Sequence, residues 1–231
     1  MNRLTSFARS SIGKKIMMSL TGLFLCTFLI EHLVGNLLLF LNDGGTAYDA
    51  YSAFMAGNPI VRTIEIVLFL SIVWHAWSGV LVWRQNKKAR PVTYGSYRLH
   101  ETAPLWSRIT LLSGSVVFIF LVVHLKTFFV PMRLGSEHPS GYFLVQSAFS
   151  NGAYAFFYVV SMLLLAYHLR HGVQAGMQTL GLRNETYRKL IDLVGLFMWL
   201  VIPLGFAIIP IYFYFFKNMA GVAMAMGGLT P

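Results

Sequence analysis

Five apolar stretches, each long enough to cross a lipid bilayer, constrain this chain more than any other feature. They lie at 16–41, 60–83, 107–130, 147–171 and 189–216. About 20 apolar residues in a helix cross the hydrocarbon core, where a helix satisfies its own backbone hydrogen bonds. Of the residues, 56% are hydrophobic and 11% charged, whereas a soluble domain is about 25% charged. We therefore expect one all-α integral membrane domain, residues 1–231, with five transmembrane helices.

The basic residues are concentrated on one side of these spans. Of the 18 Lys and Arg, 14 precede span one or flank the loops after spans two and four, and the net charge is +10. Because cytoplasmic loops carry the excess of Lys and Arg, the N-terminus is predicted to be cytoplasmic and the C-terminus outside. The basic cytoplasmic face is also expected to contact anionic lipid, and no nucleic-acid partner is expected. The single cysteine, Cys26, cannot form a disulfide or a cysteine-based metal centre within the chain.

Each of the first four spans carries one histidine inside its apolar run: His32, His75, His124 and His168. Ionisable side chains are costly within a bilayer, so each is a functional candidate. A lone membrane histidine can also be a hydrogen-bonded packing residue. Four of them, one per span, require a joint explanation.

Other features of the spans and loops are interpreted as structural. His100 and His138 fall in loops, and His171 lies at the end of span four. Span five has no histidine, and its Pro203 and Pro210 predict a kinked packing helix.

The depths of the four histidines predict two layers. At a rise of 1.5 Å per residue, His32 and His124 lie ~24 Å and ~26 Å from the cytoplasmic starts of their spans. Spans two and four run the other way, so His75 lies ~12 Å and His168 ~5 Å from their cytoplasmic ends. The layers are then roughly 10–20 Å apart. In an up-down bundle of the first four spans, one and three are diagonal, as are two and four, so each layer holds two imidazoles across the core.

Two imidazoles that face each other are suited to the axial positions of a haem iron. The pattern predicts two b-type haems, the outer on His32 and His124 and the inner on His75 and His168. Small residues share the helix face of His75, which agrees with space for a macrocycle, although such residues also let membrane helices pack closely. A zinc site needs more ligands in one cluster than either layer supplies. With both axial positions filled, the expected chemistry is electron transfer.

Donors for the propionates of the inner haem are predicted at the cytoplasmic level. The candidates are Ser19, Trp106 and Arg108. Arg108 has an alternative interpretation as a snorkelling residue that only sets orientation.

These residues make the chain similar to a known family. It resembles the dihaem cytochrome b membrane subunit of succinate dehydrogenases and fumarate reductases, in the single-subunit, five-helix, cytochrome b558-like form. The resemblance covers nearly the whole chain and is carried by five motifs: SSIGKKIMMSLTGLFL, EHLVGNLLLF, WHAWSGV, LVVHLK and YHLRHGVQAGMQTLG. It implies that His168, not His171, is the fourth ligand, and that Ser19 lies near the inner propionates. Some members carry an acidic residue two positions before that ligand for transmembrane proton movement, and this chain has Ala166 at that position.

The resemblance also implies a function. The chain would be the anchor and electron-transfer subunit of succinate:quinone oxidoreductase, a respiratory enzyme of the bacterial inner membrane. A flavoprotein subunit would perform the dicarboxylate chemistry, and an iron–sulfur subunit would pass electrons to the haems; both would dock on the cytoplasmic face. The chain itself has no nucleotide-binding glycine fingerprint and no cysteine cluster. Two alternatives remain: a dihaem cytochrome b of a hydrogenase or formate dehydrogenase, and a transporter or assembly factor without a cofactor.

The quinone, menaquinone or ubiquinone, is predicted to exchange electrons near the outer haem. The candidate groups for its protons are Asp43, Tyr48, Asp49, Tyr51 and Glu65. The alternative for this segment is an interfacial loop with belt tyrosines.

Overall fold

The computed structural model describes residues 10–88, 110–135 and 139–217. All regular structure in these ranges is helical, and five helices are long and apolar enough to cross a membrane. The spans run over Ile12–Phe40, Pro59–Gln85, Thr110–Leu134, Gly152–Thr179 and Arg188–Lys217. The predicted all-α class with five transmembrane helices is confirmed.

Nine α-helices, numbered in chain order, make up the spans and the segments between them over the described ranges. They are α1 (Ser11–Asn36), α2 (Thr46–Gly57), α3 (Pro59–Lys88), α4 (Thr110–His124), α5 (Val130–Leu134), α6 (Gly141–Phe149), α7 (Gly152–Thr179), α8 (Arg188–Leu196) and α9 (Ile202–Tyr212). A 3-10 turn, Leu37–Phe40, completes span one. The short helices α2 and α6 lie outside the five spans and pack against each other.

Spans three and five are interrupted by π-helical turns. One covers Leu125–Phe129 and another Phe197–Val201, and each ends two residues before a proline, Pro131 or Pro203. Proline has no backbone N–H and displaces the carbonyl four residues earlier, which the wider π turn accommodates. The kinks predicted at Pro203 and Pro210 stay predictions, although a π turn interrupts the helix of span five just before Pro203.

The first four spans form a bundle in which neighbours in sequence run in alternating directions. Span one packs mainly against spans two and four, and span four packs against span three. Spans two and three make a lighter contact. Spans one and three are therefore diagonal, as are spans two and four. Span five lies outside this bundle and packs against spans four and one.

Two apolar clusters hold span five to the bundle. The first joins Cys26 and Leu33 of span one to Leu165 of span four and to Met198 and Ile202 of span five. The second lies towards the other end of these spans and includes α6; its buried members are Leu39, Tyr142, Val145, Phe149, Ala155, Tyr158, Ile209 and Phe213. In lipid such interfaces are stabilised by close packing rather than by exclusion of water.

Span four differs from its predicted bounds of 147–171. The apolar run continues past residue 151, but a new helix begins there, because the side-chain oxygen of Asn151 accepts a hydrogen bond from the N–H of Tyr154, at 3.1 Å, and caps it. At the other end the helix continues to Thr179, before Gly181 with a φ of 72°. His168 therefore lies ~17 Å from the end of its helix, not ~5 Å.

Candidate haem-binding site

The four membrane histidines meet in two pairs. The ring centroids of His32 and His124 are 5.8 Å apart with planes at 90°. Those of His75 and His168 are 6.1 Å apart with planes at 81°. Each pair joins two diagonal spans, as the depth pattern predicts, and His168 is the span-four histidine that meets His75.

Two glycines lie against the inner pair. A Cβ atom added to Gly22 would be 2.9 Å from Cε1 of His75, and one added to Gly114 would be 3.2 Å from Cε1 of His168. Ordinary carbon contacts are about 3.5–4.0 Å, so these imidazoles occupy space that a larger residue would fill. Each glycine lies ten residues before the outer histidine of its own span. Ten residues of helix place the two layers about 15 Å apart.

Hydrogen bonds from span one orient His75. Its Nδ1 lies 3.2 Å from the carbonyl oxygen of Met18 and 3.4 Å from Oγ1 of Thr21. A carbonyl can only accept, so the proton is assigned to Nδ1, which leaves the lone pair of Nε2 free. Histidines that bind metals commonly donate their second N–H to a carbonyl in this way.

The partner imidazole has a different environment. Within the ranges that the structure describes, Nδ1 of His168 is a buried polar atom with no hydrogen-bond partner. This nitrogen lies towards span three, 3.4 Å from a Cβ atom added to Gly114. Buried polar groups are almost always paired, so the ring is open to a further partner.

The outer pair is lined by aromatic rings. Phe28 stacks on His32 at 5.2 Å between centroids, and Phe206 lies 5.5 Å from the same ring. Phe128 and Phe120 lie 5.2 Å and 5.8 Å from His124. Among the residues that the structure describes, the inner pair is bordered instead by the two glycines and, one turn from His75, by the buried Ser78. The outer pair is therefore the more apolar of the two.

The paired imidazoles fit the axial ligands of a haem iron. Two metal–nitrogen bonds of about 2 Å, with roughly 1 Å from each nitrogen to its ring centre, give centroids about 6 Å apart. No group of three or more His, Cys, Asp or Glu side chains able to hold a metal ion occurs among the residues placed by the structure. Each pair of imidazoles thus suits a metal ion whose remaining ligands belong to a cofactor rather than to the protein.

The predicted propionate donors have separate outcomes. Ser19 is buried, at 7% exposure, one turn before Gly22 and against Gly176 of span four. Its hydroxyl donates to the carbonyl of Lys15 at 2.9 Å, and its contact with a propionate stays a prediction. Trp106 and Arg108 lie outside the described residues, as do His100 and His138.

Two of the acidic residues proposed for quinone chemistry form hydrogen bonds that hold the short helices α2 and α6 in place. The carboxylate of Asp43 accepts from the backbone N–H groups of Gly45 and Ala47, at 2.9 and 2.8 Å, at the start of α2. The bond from Ala47 is the main reason that the pKa of Asp43 lies below its usual value. Asp49 accepts from the backbone N–H of Tyr142 at 3.0 Å and joins α2 to α6.

The other three candidates lie in different places, and Tyr48 packs against the second apolar cluster. Glu65 forms an ion pair with Arg62 of its own helix at 2.9 Å and one with Arg133 at 3.4 Å, and the second ties span two to the end of span three. Tyr51 donates a hydrogen bond to Glu31, the residue next to His32. Burial raises the pKa of Tyr51 above its usual value, and the hydrogen bond and charge of Glu31 raise it further.

The sequence contained a signal for the glycines. Spans one and three both carry a hydroxyl residue and a glycine, Thr21-Gly22 and Ser113-Gly114, ten residues before the outer histidine. Tyr158, whose hydroxyl lies 3.3 Å from Nδ1 of His124, has no comparable signal, since no repeated spacing marks it in the sequence.

Comparison of the chain with family models, curated proteins and solved structures found no match. The function proposed below therefore depends on the residues and contacts just described.

Proposed function

We propose that this chain is a dihaem cytochrome b, the membrane anchor and electron-transfer subunit of a succinate:quinone oxidoreductase. The observation that carries the proposal is the presence of two histidine pairs at two levels of one four-helix bundle, with ring centroids 5.8 and 6.1 Å apart within the pairs. His32 and His124 would hold the outer haem, and His75 and His168 the inner. Haem held by these two pairs of imidazoles would supply one-electron transfer.

The chain's own residues hold and shield these positions. The Met18 carbonyl keeps the proton of His75 on Nδ1, so that the lone pair of Nε2 is left to bind a metal. Gly22 and Gly114 let the inner imidazoles approach the backbones of spans one and three. The aromatic rings around His32 and His124 keep water from the outer pair. Two sites about 15 Å apart along the bundle axis would carry electrons across much of the membrane thickness.

The soluble partners are proposed to dock where the basic residues cluster. Arg84, Lys87 and Lys88 end α3, and Arg183 and Arg188 follow span four at the same end of the bundle. The inner pair is the closer of the two to this end. A flavoprotein and an iron–sulfur subunit would complete the enzyme there, on the cytoplasmic face of the bacterial inner membrane.

Quinone is proposed to exchange protons at Glu31 and Tyr51. Glu31 is an exposed carboxylate nine residues before the end of span one and next to His32, and Tyr51 donates to it. A carboxylate at this depth, ~14 Å along the helix from Phe40, is reachable from the lipid phase. Asp43, Asp49 and Glu65 already have backbone or arginine partners, so they are less suited to proton exchange.

The test is a dithionite-reduced minus oxidised spectrum with haem quantitation on the protein purified from its native membrane. Two b-type haems per chain are expected, together with a flavoprotein and an iron–sulfur subunit. Recovery of a nickel or molybdenum subunit instead would assign the chain to a hydrogenase or formate dehydrogenase. A chain without haem would overturn the proposal.

A further inference from the structure

A chain of hydroxyl groups leads away from the outer histidine pair between spans three and four. The hydroxyl of Tyr154 donates to Oγ1 of Thr127 at 2.7 Å. The hydroxyls of Tyr154 and Tyr158 are 3.0 Å apart, and that of Tyr158 lies 3.3 Å from Nδ1 of His124. The electron-transfer role proposed above does not by itself require these three groups.

The number of protons on each hydroxyl group determines which group donates in every hydrogen bond of this series. Each phenol has one proton, and that of Tyr154 is given to Thr127. The bond between the two phenols must therefore be donated by Tyr158. Its only proton is then used, so its oxygen accepts from Nδ1–H of His124. These hydrogen bonds assign the proton of His124 to Nδ1. The lone pair of Nε2 is then free to bind a metal.

Packing holds Tyr158 in this position. The residue is 5% exposed, and its ring centroid lies 4.9 Å from that of Phe120 and 5.0 Å from that of Phe149. Phe157 and Phe128 are also in contact with the ring, at 5.9 and 6.3 Å. A phenol enclosed in this way cannot swing aside without moving several neighbours.

We propose that Tyr158 is a positioning residue for His124 and that, through Tyr154 and Thr127, it lowers the reduction potential of the outer haem. The inference rests on the proposed haem ligation. A hydrogen bond accepted from the second ring nitrogen fixes the orientation of a ligand and makes it more basic. A more basic ligand stabilises ferric over ferrous iron. Because Tyr158 passes its own proton to Tyr154, its oxygen is a stronger acceptor than an isolated phenol.

The two layers differ in the group that accepts the hydrogen bond from the histidine. His75 of the inner pair donates to a backbone carbonyl, that of Met18, whose acceptor strength a side-chain substitution does not change. His124 of the outer pair donates to a side chain. Substitutions in the hydroxyl chain should therefore shift the outer haem and leave the inner one unchanged.

The experiment is a redox titration of both haems in the purified complex, with the low-spin ferric electron paramagnetic resonance signal as a second readout. Tyr158→Phe should shift the outer potential upward and alter the outer ferric signal, at unchanged haem content. Tyr154→Phe and Thr127→Val should give smaller upward shifts, and Thr127→Ser, which keeps the hydroxyl, should resemble the wild type. Phe157→Leu is the packing control, since it removes a ring beside Tyr158 without touching the hydroxyl chain.

The outcomes separate this inference from the proposed function. Two haems with an outer potential in Tyr158→Phe equal to that of Phe157→Leu would overturn the role of Tyr158 and leave the cytochrome assignment standing. If Tyr158→Phe does not accumulate, equal potentials in Thr127→Val and Thr127→Ser would overturn it in the same way. Absence of haem from the wild-type protein would overturn both.

Discussion

Gly22 of span one lies against the imidazole of His75 in span two, so close that a Cβ atom at residue 22 would be 2.9 Å from Cε1. The contact crosses between neighbouring helices of the bundle and sets how deeply His75 can enter it. Gly114 has the same relationship to His168, at 3.2 Å. The inner pair is therefore clamped between two glycine-bearing backbones.

Gly22→Ala should displace His75 and lower occupancy of the inner haem. Forcing a methyl group into packed surroundings costs about 1–3 kcal/mol. Gly114→Ala should have a smaller effect because its contact is looser. Haem content and the reduced-minus-oxidised spectrum measure both. Gly195→Ala is the matched control, since a Cβ atom there meets nothing within 4 Å; equal spectra for Gly22→Ala and this control would contradict the clamp.

Removal of single histidines should separate the two haems. His124→Ala should reduce haem content from two to one by loss of the outer haem, and His168→Ala should do the same at the inner site. His171→Ala, three residues further along span four, should keep both. Haem per chain and redox titration give the result. Loss of the inner haem from His124→Ala would refute the pairing of these rings at the two layers.

Tyr51 should resist ionisation well above the pH at which an ordinary tyrosine loses its proton. Burial is the main cause of its raised pKa, and the bond to Glu31 adds to it. The folded protein keeps a proton that the unfolded chain releases near pH ~10, so this stabilisation is complete below pH ~10 and is lost as pH rises further. Phenolate absorption in the wild type minus that in Tyr51→Phe measures it. Glu31→Gln should lower the Tyr51 pKa only in part; no change would show that Glu31 does not act on the phenol.

The ion pair between Glu65 and Arg133 should stabilise the contact between spans two and three. Glu65 and Arg133 are each 18% exposed, whereas Arg62 is 48% exposed and contributes less because solvent screens it. Glu65→Gln is expected to cost about 1 kcal/mol, a decrease in Tm of about 2–4 °C.

Asp192→Asn removes the more exposed pair with Arg183 and is the control for this prediction. It should leave Tm unchanged. A Tm for Glu65→Gln equal to that of Asp192→Asn at low salt would show that the Glu65 pairs add no stability.

The span-level architecture was predictable from the chain, and most of the span ends were close. A long apolar run must be helical in lipid whatever surrounds it, and each histidine's depth follows from the helix rise. These local quantities sufficed to bring His32 to His124 and His75 to His168. They failed at span four, where the apolar run continues across the cap at Asn151 and the helix extends past the apolar residues to Thr179.

The details of the candidate site were less predictable because they depend on contacts between spans. The propionate role of Ser19 and the quinone role of the outer loop stay predictions, although the structure places Asp43 and Asp49 in helix-capping and helix-joining bonds. A carboxylate has the same sequence signature in either role. Only its neighbours distinguish them.

The sequence by itself determined how many helices cross the membrane, which of them carry histidine and at what depth, because hydrophobic length and helix rise are properties of one segment. Tertiary structure alone decided the rotation of each helix about its axis. That rotation directs Gly22 at His75, Tyr158 at His124 and Tyr51 at Glu31. Side chains from different spans meet only when those rotations are set together by packing, and no single segment contains that information.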